Sequence, residues 1–438
     1  MAASRKLSFY RASILSPWDD KRADYWPDGV IVTQPASKTR PATITDILPY
    51  NEACERYVED FARSNLYEYP DSLIIPGFFD MHFHWVQDDV RLMPKDSLLE
   101  WLAKYTFPTE AKYASKSYAK TKARKFFQRL LSVGTIGGAC YSSIHDHALD
   151  EAFNYAQGDL LIGNVLMTQE SPAALAQTPK QALGAALRGM KRYKKRYVLT
   201  PRFAIATDPA TMARTALEAD RRGIFKQTHL SETPAEIDFV LKLYKKMKGF
   251  ERVKSYTELY HKVGMLGERS LMGHAIHLKP AELKLLKKTN TALVHCPTSN
   301  APLRQRGLGS GLFDYQKVEK QGIRWALGSD IGGGPFLSML DVMDSFLRQH
   351  KKAGRGDATA LKALYRATLA GAEILGVDER TGSLAPGKEA SFVVLRAPAK
   401  RYRSGEAHLR AVLAAVKDRA HFDRCVRATF LAGKQVSA

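Results

Sequence analysis

The chain has 438 residues, 45% hydrophobic and 25% charged, which is long enough for a large core plus an accessory unit. Its formal charge of +21 raises nucleic acid as a partner. The basic residues, however, spread along helix faces (116–129, 180–196, 242–254) without an RNA-binding motif, zinc finger or Arg-rich tail, which reads as a solvated surface and no nucleic-acid partner. No run approaches the roughly 20 apolar residues of a membrane helix. Cys54, Cys140, Cys296 and Cys425 are far apart and form no CxxC pair, which argues against a disulfide framework and suits a reducing cytoplasm.

The first ten residues lack the apolar stretch of a secretory leader; they read as the start of a β-strand, with an Arg- and Ser-bearing organelle transit peptide as the alternative. Short alternating runs such as Leu7-Ser8-Phe9-Tyr10 and Gly29-Val30-Ile31-Val32-Thr33 predict small β-structure as far as about Leu73. The same character returns in Phe392-Val393-Val394-Leu395 and near Phe430. Two β-rich ends around a different middle predict an accessory β-sandwich built from residues 1–74 and 383–438. Between them, residues 75–382 alternate strand and helix. Candidate strands are 72–75, 135–141, 160–167, 197–200, 224–228, 270–274, 291–295 and 324–328, with amphipathic helices over 115–133, 209–222, 234–248 and 280–288. The fold class is α/β. Eight strands is the number that closes a (β/α)8 TIM-like barrel, and no Gly-rich dinucleotide loop points to an open sheet instead.

A barrel puts its active site at the C-terminal ends of the strands, and ligand-type residues fall there in order. His82 and His84 lie just beyond strand one, His229 at the end of five, His274 at the end of six and Asp330 after eight. In an extended His-X-His both imidazoles point to one side. Imidazoles with a carboxylate suit Zn²⁺, with Fe²⁺ or Mn²⁺ as alternatives. His145 and His147 form a second His-X-His pair, but without the Pro-Gly-Phe-Phe-Asp lead-in they read as a rim or loop feature. His295 reads as a residue that satisfies a loop carbonyl.

The stretches Pro76–His84, Thr228–Glu232, His274–Leu278, Cys296–Asn300 and Gly328–Asp330 resemble the amidohydrolase superfamily, and within it the guanine deaminases. Gln87, three residues after His84, matches the family's His-X-His-X-X-Gln. Leu98–Leu102, Tyr105–Glu110, Pro201-Arg202-Phe203, Ser310–Phe313 and Pro386–Ala390 match as well, so the similarity runs over nearly the whole chain. The resemblance implies a zinc-dependent aminohydrolase that turns guanine and water into xanthine and ammonia. One ion per subunit would be held by His82, His84, His229 and Asp330, with His274 beside the attacking water. Glu232 would be the proton shuttle, while Gln87, Arg202 and Phe203 would recognise the purine. For Phe203 stacking on the ring is the preferred role and core packing the alternative. A cytoplasmic homodimer is implied too.

The chemistry agrees with those roles. A metal lowers the pKa of bound water to roughly 7, and a carboxylate three residues past His229 can carry protons to the ring nitrogen and the departing amine. Two departures from the family pattern, Trp85-Val86 before Gln87 and a basic insert over 304–307, are expected near the pocket mouth. They leave room for another substrate of the same fold: a pterin, 8-oxoguanine or a triazine-like ring. A silent scaffold that binds RNA or an acidic partner is the reading from another class, and Glu232 with a complete ligand set argues against it.

Overall fold

The computed structural model describes residues 6–37, 39–61, 65–300, 307–416 and 419–437. Four strands open the chain: β1 (Ser8–Pro17), β2 (Ala23–Gln34), β3 (Thr43–Pro49) and β4 (Asn65–Pro76). Eight follow, interleaved with helices: β5 (Phe78–His84), β6 (Thr135–Ser142), β7 (Asp159–Leu166), β8 (Val198–Pro201), β9 (Phe225–Leu230), β10 (Ser270–His274), β11 (Ala292–His295) and β12 (Trp325–Leu327). Three more, β13 (Phe392–Arg396), β14 (Val426–Leu431) and β15 (Lys434–Ser437), come last.

The two ends of the chain pair into one continuous seven-stranded sheet in the order β15-β14-β13-β4-β1-β2-β3. Only β1 and β4 run parallel; the other neighbours are antiparallel. Alternation along these strands buries Tyr10, Ile14, Ile31, Ile44, Phe392 and Phe430 in one cluster, and Phe9, Val30 and Val32 with Ala53 in another.

The other sheet runs from β5 to β12 in unbroken sequence order, its eight strands parallel. Two backbone bonds tie its last strand's exit back to its first: Asp330 N donates to the His82 carbonyl (2.7 Å) and His84 N to that of Ile331 (2.9 Å). This is the (β/α)8 barrel the alternation predicts. Strand β6 approaches β5 so closely at Gly138 that a β-carbon there would stand 1.7 Å from the Asp80 carbonyl oxygen. Only glycine permits that approach. Helices start cleanly after the strands because caps stop the chain from fraying. Asp208 accepts from Thr211 N ahead of helix Pro209–Arg222, and Thr233 and Glu236 form a reciprocal capping box ahead of Pro234–Lys245.

One strand departs from expectation. Residues 72–75, read above as the first barrel strand, lie inside β4 and pair with β1 and β13. The first barrel strand is β5, so His82 and His84 sit within it rather than just beyond it. Gly77 alone separates β4 from β5, and the flanking residues are apolar and buried on both sides, so periodicity marks no boundary.

By internal packing the chain divides into two compact units, Met1–Phe79 with Gln128–Gly137 and Leu337–Ala438, and Asp80–Phe127 with Gly138–Phe336. Every candidate site residue lies in the second. Among the described residues no helix is long and apolar enough to cross a membrane.

Candidate active site

Period-two alternation in β5 turns His82 and His84 to one side, where β9 delivers His229 and the segment after β12 delivers Asp330. The Nε2 atoms of His82 and His84 are 3.3 Å apart, and those of His84 and His229 3.2 Å. Asp330 Oδ1 stands 3.5 Å from each of the two β5 nitrogens. A tetrahedral ion with bonds of about 2.0–2.1 Å to its ligands has edges of about 3.3–3.4 Å. These four spacings are close to such edges, and the residues fall into overlapping groups able to hold an ion: His82, His84 and Asp330 in one, His82, His229 and His274 in another. Burial pushes the pKa of all three rings well below the usual histidine value, which keeps them in the neutral form that ligates metals.

His274 stands at the side of this cluster, its ring centroid 5.0 Å from that of His82 and 5.3 Å from that of His229. Its Nε2 is 3.5 Å from Glu232 Oε2. Asn300 links the two residues: its Nδ2 donates to Glu232 Oε1 (3.3 Å), and its amide lies 3.1–3.3 Å from His274 Nδ1. Ser310 Oγ gives Glu232 Oε1 a second donor at 3.1 Å. Glu236 Oε2 accepts from Glu232 N at 2.8 Å and so fixes the backbone beneath it. Burial, then the charge of Asp330, raises the Glu232 carboxyl well above the usual range. A carboxyl raised in this way is a candidate proton donor. Burial also raises Asp330, opposed by His274 and Ser299, and a cation among the imidazoles would keep it ionised.

The turns that present these groups are strained. Ser231, His274, Ala275 and Asp330 have φ of +49°, +69°, +50° and +49°, the left-handed region that residues other than glycine seldom occupy. They make up four of the nine such non-glycine residues among those described. Each follows or ends a barrel strand at the cluster, where surrounding structure holds the strain in place.

Gln87, Arg202 and Phe203 line the same cavity as His84, Glu232 and Asp330, a space of about 370 Å³ including its open mouth. Its apolar wall is Leu98, Trp101 and Leu102, from a helical stretch in which Leu98–Trp101 and Phe107–Ala111 flank a π-helical turn. That stretch also supplies a residue the sequence left without a role. Glu110, fully buried, accepts from Gln87 Nε2 at 2.8 Å and from Arg202 Nη1 at 2.6 Å. Glu110, Asn300 and Ser310 all belong to motifs noted in the sequence, but their partners are distant along the chain. Phe203 meets the His229 ring edge-on at 6.2 Å while lining the cavity.

The structure moves Trp85 and Val86 away from the mouth, where the sequence reading put them. Both are buried, and Trp85 donates to Ser142 Oγ (3.0 Å) and packs edge-on against Tyr113. The chain leaves β5 into a 3₁₀ turn at Trp85, so strand alternation no longer decides which way that side chain points. His147 bonds the Tyr113 carbonyl and His145 precedes helix Asp146–Tyr155, so this pair serves a loop. His295 is buried, stacked on Phe313 at 4.8 Å. Of the expected basic insert, residues 304–306 lie outside the described residues.

Metal-dependent barrel hydrolases are the class of protein that needs this combination: ligand-type residues from separate strands, and a buried carboxyl lining an open cavity beside them. The family comparison agrees. The amidohydrolase family profile matches residues 73–436. The guanine deaminase of Escherichia coli K12 is 33% identical over 336 residues, 75% of this chain and 74% of that protein. Among solved structures, E. coli guanine deaminase superposes with a TM-score of 0.85 at 27% identity, covering 99% of both chains. A guanine deaminase from C. acetobutylicum, with guanine bound in its active site, gives 0.83 at 26%, covering 98% of this chain and 99% of that one. The chain belongs to the amidohydrolase family. It is a hydrolase that acts on C–N bonds.

Proposed function

We propose that the protein is a cytoplasmic, homodimeric guanine deaminase that uses one zinc ion per subunit to convert guanine and water to xanthine and ammonia. The observation that carries this reading is the joining of two halves in one cavity. Glu232, His84, His229 and Asp330 line it together with Gln87 and Arg202, which share Glu110 as their hydrogen-bond acceptor. The relatives named guanine deaminases, one with guanine in its site, support the choice of substrate.

His82, His84, His229 and Asp330 would hold the ion, which when bound supplies the Lewis acidity that makes water a nucleophile near neutral pH. Asp330 orients that water and accepts its proton. Arg202 donates to the purine carbonyl, Gln87 pairs with the ring edge, and Phe203 closes against the ring face. Glu232, in its acid form, gives its proton to ring nitrogen as C2 becomes tetrahedral, takes the proton left on the new hydroxyl and relays it to the amine, and is restored by the proton that Asp330 accepted. His274 donates to the oxygen that develops charge at C2. The C2–N bond breaks as the C2–O bond persists; one water proton leaves on ammonia and the other stays on the ring.

A panel of guanine, pterin, 8-oxoguanine and a triazine, assayed for ammonia, tests the substrate. Guanine is expected to give the highest kcat/KM by at least tenfold. A higher value for any other ring would replace it.

A further inference from the structure

Glu110 divides its two oxygens between two residues that line the cavity, Gln87 and Arg202. Oε1 accepts from Gln87 Nε2 and Oε2 from Arg202 Nη1. A carboxylate paired with a guanidinium only accepts. Gln87 must therefore turn its amide nitrogen toward Glu110, and its Oε1 points elsewhere, beside Gly332. A β-carbon on Gly332 would stand 2.4 Å from that oxygen, and the residue has φ of +88°. Among the described residues no protein donor engages Gln87 Oε1, and the Arg202 side chain hydrogen-bonds through Nη1 alone, which leaves Nε and Nη2 for a ligand.

We propose that Glu110 sets the polarity of this wall and thereby selects an oxo-heterocycle over an amino-heterocycle. The inference rests on the purine reading above. With Glu110 in place, the wall offers an acceptor from Gln87 and donors from Arg202. A ring edge with N–H beside C=O matches both. An edge with a bare ring nitrogen beside an amine sets lone pair against Gln87 Oε1 and N–H against Arg202 N–H. Sites built on buried hydrogen bonds reject analogues that leave those groups unpaired by as much as about 10⁴–10⁵-fold. Glu110 touches no substrate in this arrangement; it is a positioning residue, acting by denying Gln87 its other amide orientation.

The test is calorimetric binding of hypoxanthine and adenine to metal-loaded wild-type protein and to Glu110→Gln and Glu110→Asp. Wild type is expected to prefer hypoxanthine by at least about 100-fold. Gln at position 110 can donate or accept, so Gln87 is freed to turn over and the preference should shrink by about tenfold, the remainder being held by Arg202, which only donates. Asp keeps an acceptor-only group, so the preference should survive even as both affinities fall. A wild-type preference near unity, or a preference unchanged in Glu110→Gln whatever happens to both affinities, overturns the proposal. If Glu110→Gln does not fold, the wild-type ratio and Glu110→Asp still decide. Hypoxanthine preference without ammonia from guanine would refute the substrate reading and leave the role of Glu110 standing.

Discussion

His229 and Arg202 are joined side chain to backbone: His229 Nδ1 lies 2.7 Å from the Arg202 carbonyl oxygen. A carbonyl only accepts, so Nδ1 carries the proton and Nε2 keeps its lone pair turned toward His84. The parallel pairing of β8 with β9 sets the two residues side by side. A residue of the substrate wall thus orients a ring of the metal cluster, through an atom that no side-chain substitution removes.

Arg202→Ala should therefore keep its metal while kcat/KM on guanine falls at least about 100-fold, from lost charge-assisted hydrogen bonding. It should also destabilise the protein by about 3–5 kcal/mol, because Glu110 is left buried without its partner. Adding Glu110→Gln should recover part of that stability and none of the activity. Denaturant unfolding alongside metal analysis checks both; loss of metal in Arg202→Ala would contradict the backbone account.

Glu232→Gln preserves shape but removes the proton donor, so kcat should fall by roughly 10²–10⁴ with the metal retained. Ser310→Ala removes one of the two donors that aim Glu232. It should cost about 1.5 kcal/mol, or roughly tenfold in kcat. Steady-state rates for both variants measure this. A Glu232→Gln enzyme within tenfold of wild type would remove Glu232 from the proton path.

Asp80 braces the cluster from beneath. Its carboxylate accepts from Ser329 N (2.8 Å), Ser329 Oγ and His82 N (3.3 Å), which clamps β5 to the segment that carries Asp330. Asp80→Ala leaves these buried donors unmatched. It should lower stability by about 3 kcal/mol and weaken metal binding at least about tenfold, although Asp80 is no ligand. Thermal unfolding and a metal titration provide the check.

His408 gives the accessory unit an acid sensitivity. It is 3% exposed, stacked on Tyr402 at 4.2 Å, with Tyr25 Oη 3.1 Å from Nδ1, and burial pushes its pKa down to about 4. The unfolded chain protonates near 6.5. Between those values the unfolded state binds a proton that the folded state refuses, so stability is complete above about 6.5 and declines as pH falls toward 4. His408→Phe should flatten that decline, as read by urea midpoints at pH 7, 5.5 and 4.5.

Much of this architecture is legible because strand and helix periods differ. Seven of the eight barrel strands overlap their predicted ranges, and helices Pro209–Arg222 and Pro280–Lys288 match theirs end to end. The first strand is not legible because two buried runs abut across Gly77, and periodicity cannot say which sheet a run joins. Within the site, residues at strand ends come together as their order implies. Glu110, Asn300 and Ser310 were not assigned because their value lies in partners 23 to 92 positions away. Trp85 misled for a local reason: the strand ends one residue before it, and with it the rule that points side chains outward or inward.

The most direct test is ammonia release from guanine by purified protein loaded with zinc, beside the same protein stripped by a chelator and then reloaded. Conversion to xanthine should disappear on stripping and return on reloading. Turnover that persists at full rate in metal-free protein, or no ammonia from guanine with zinc bound in one-to-one ratio, would contradict the proposed function.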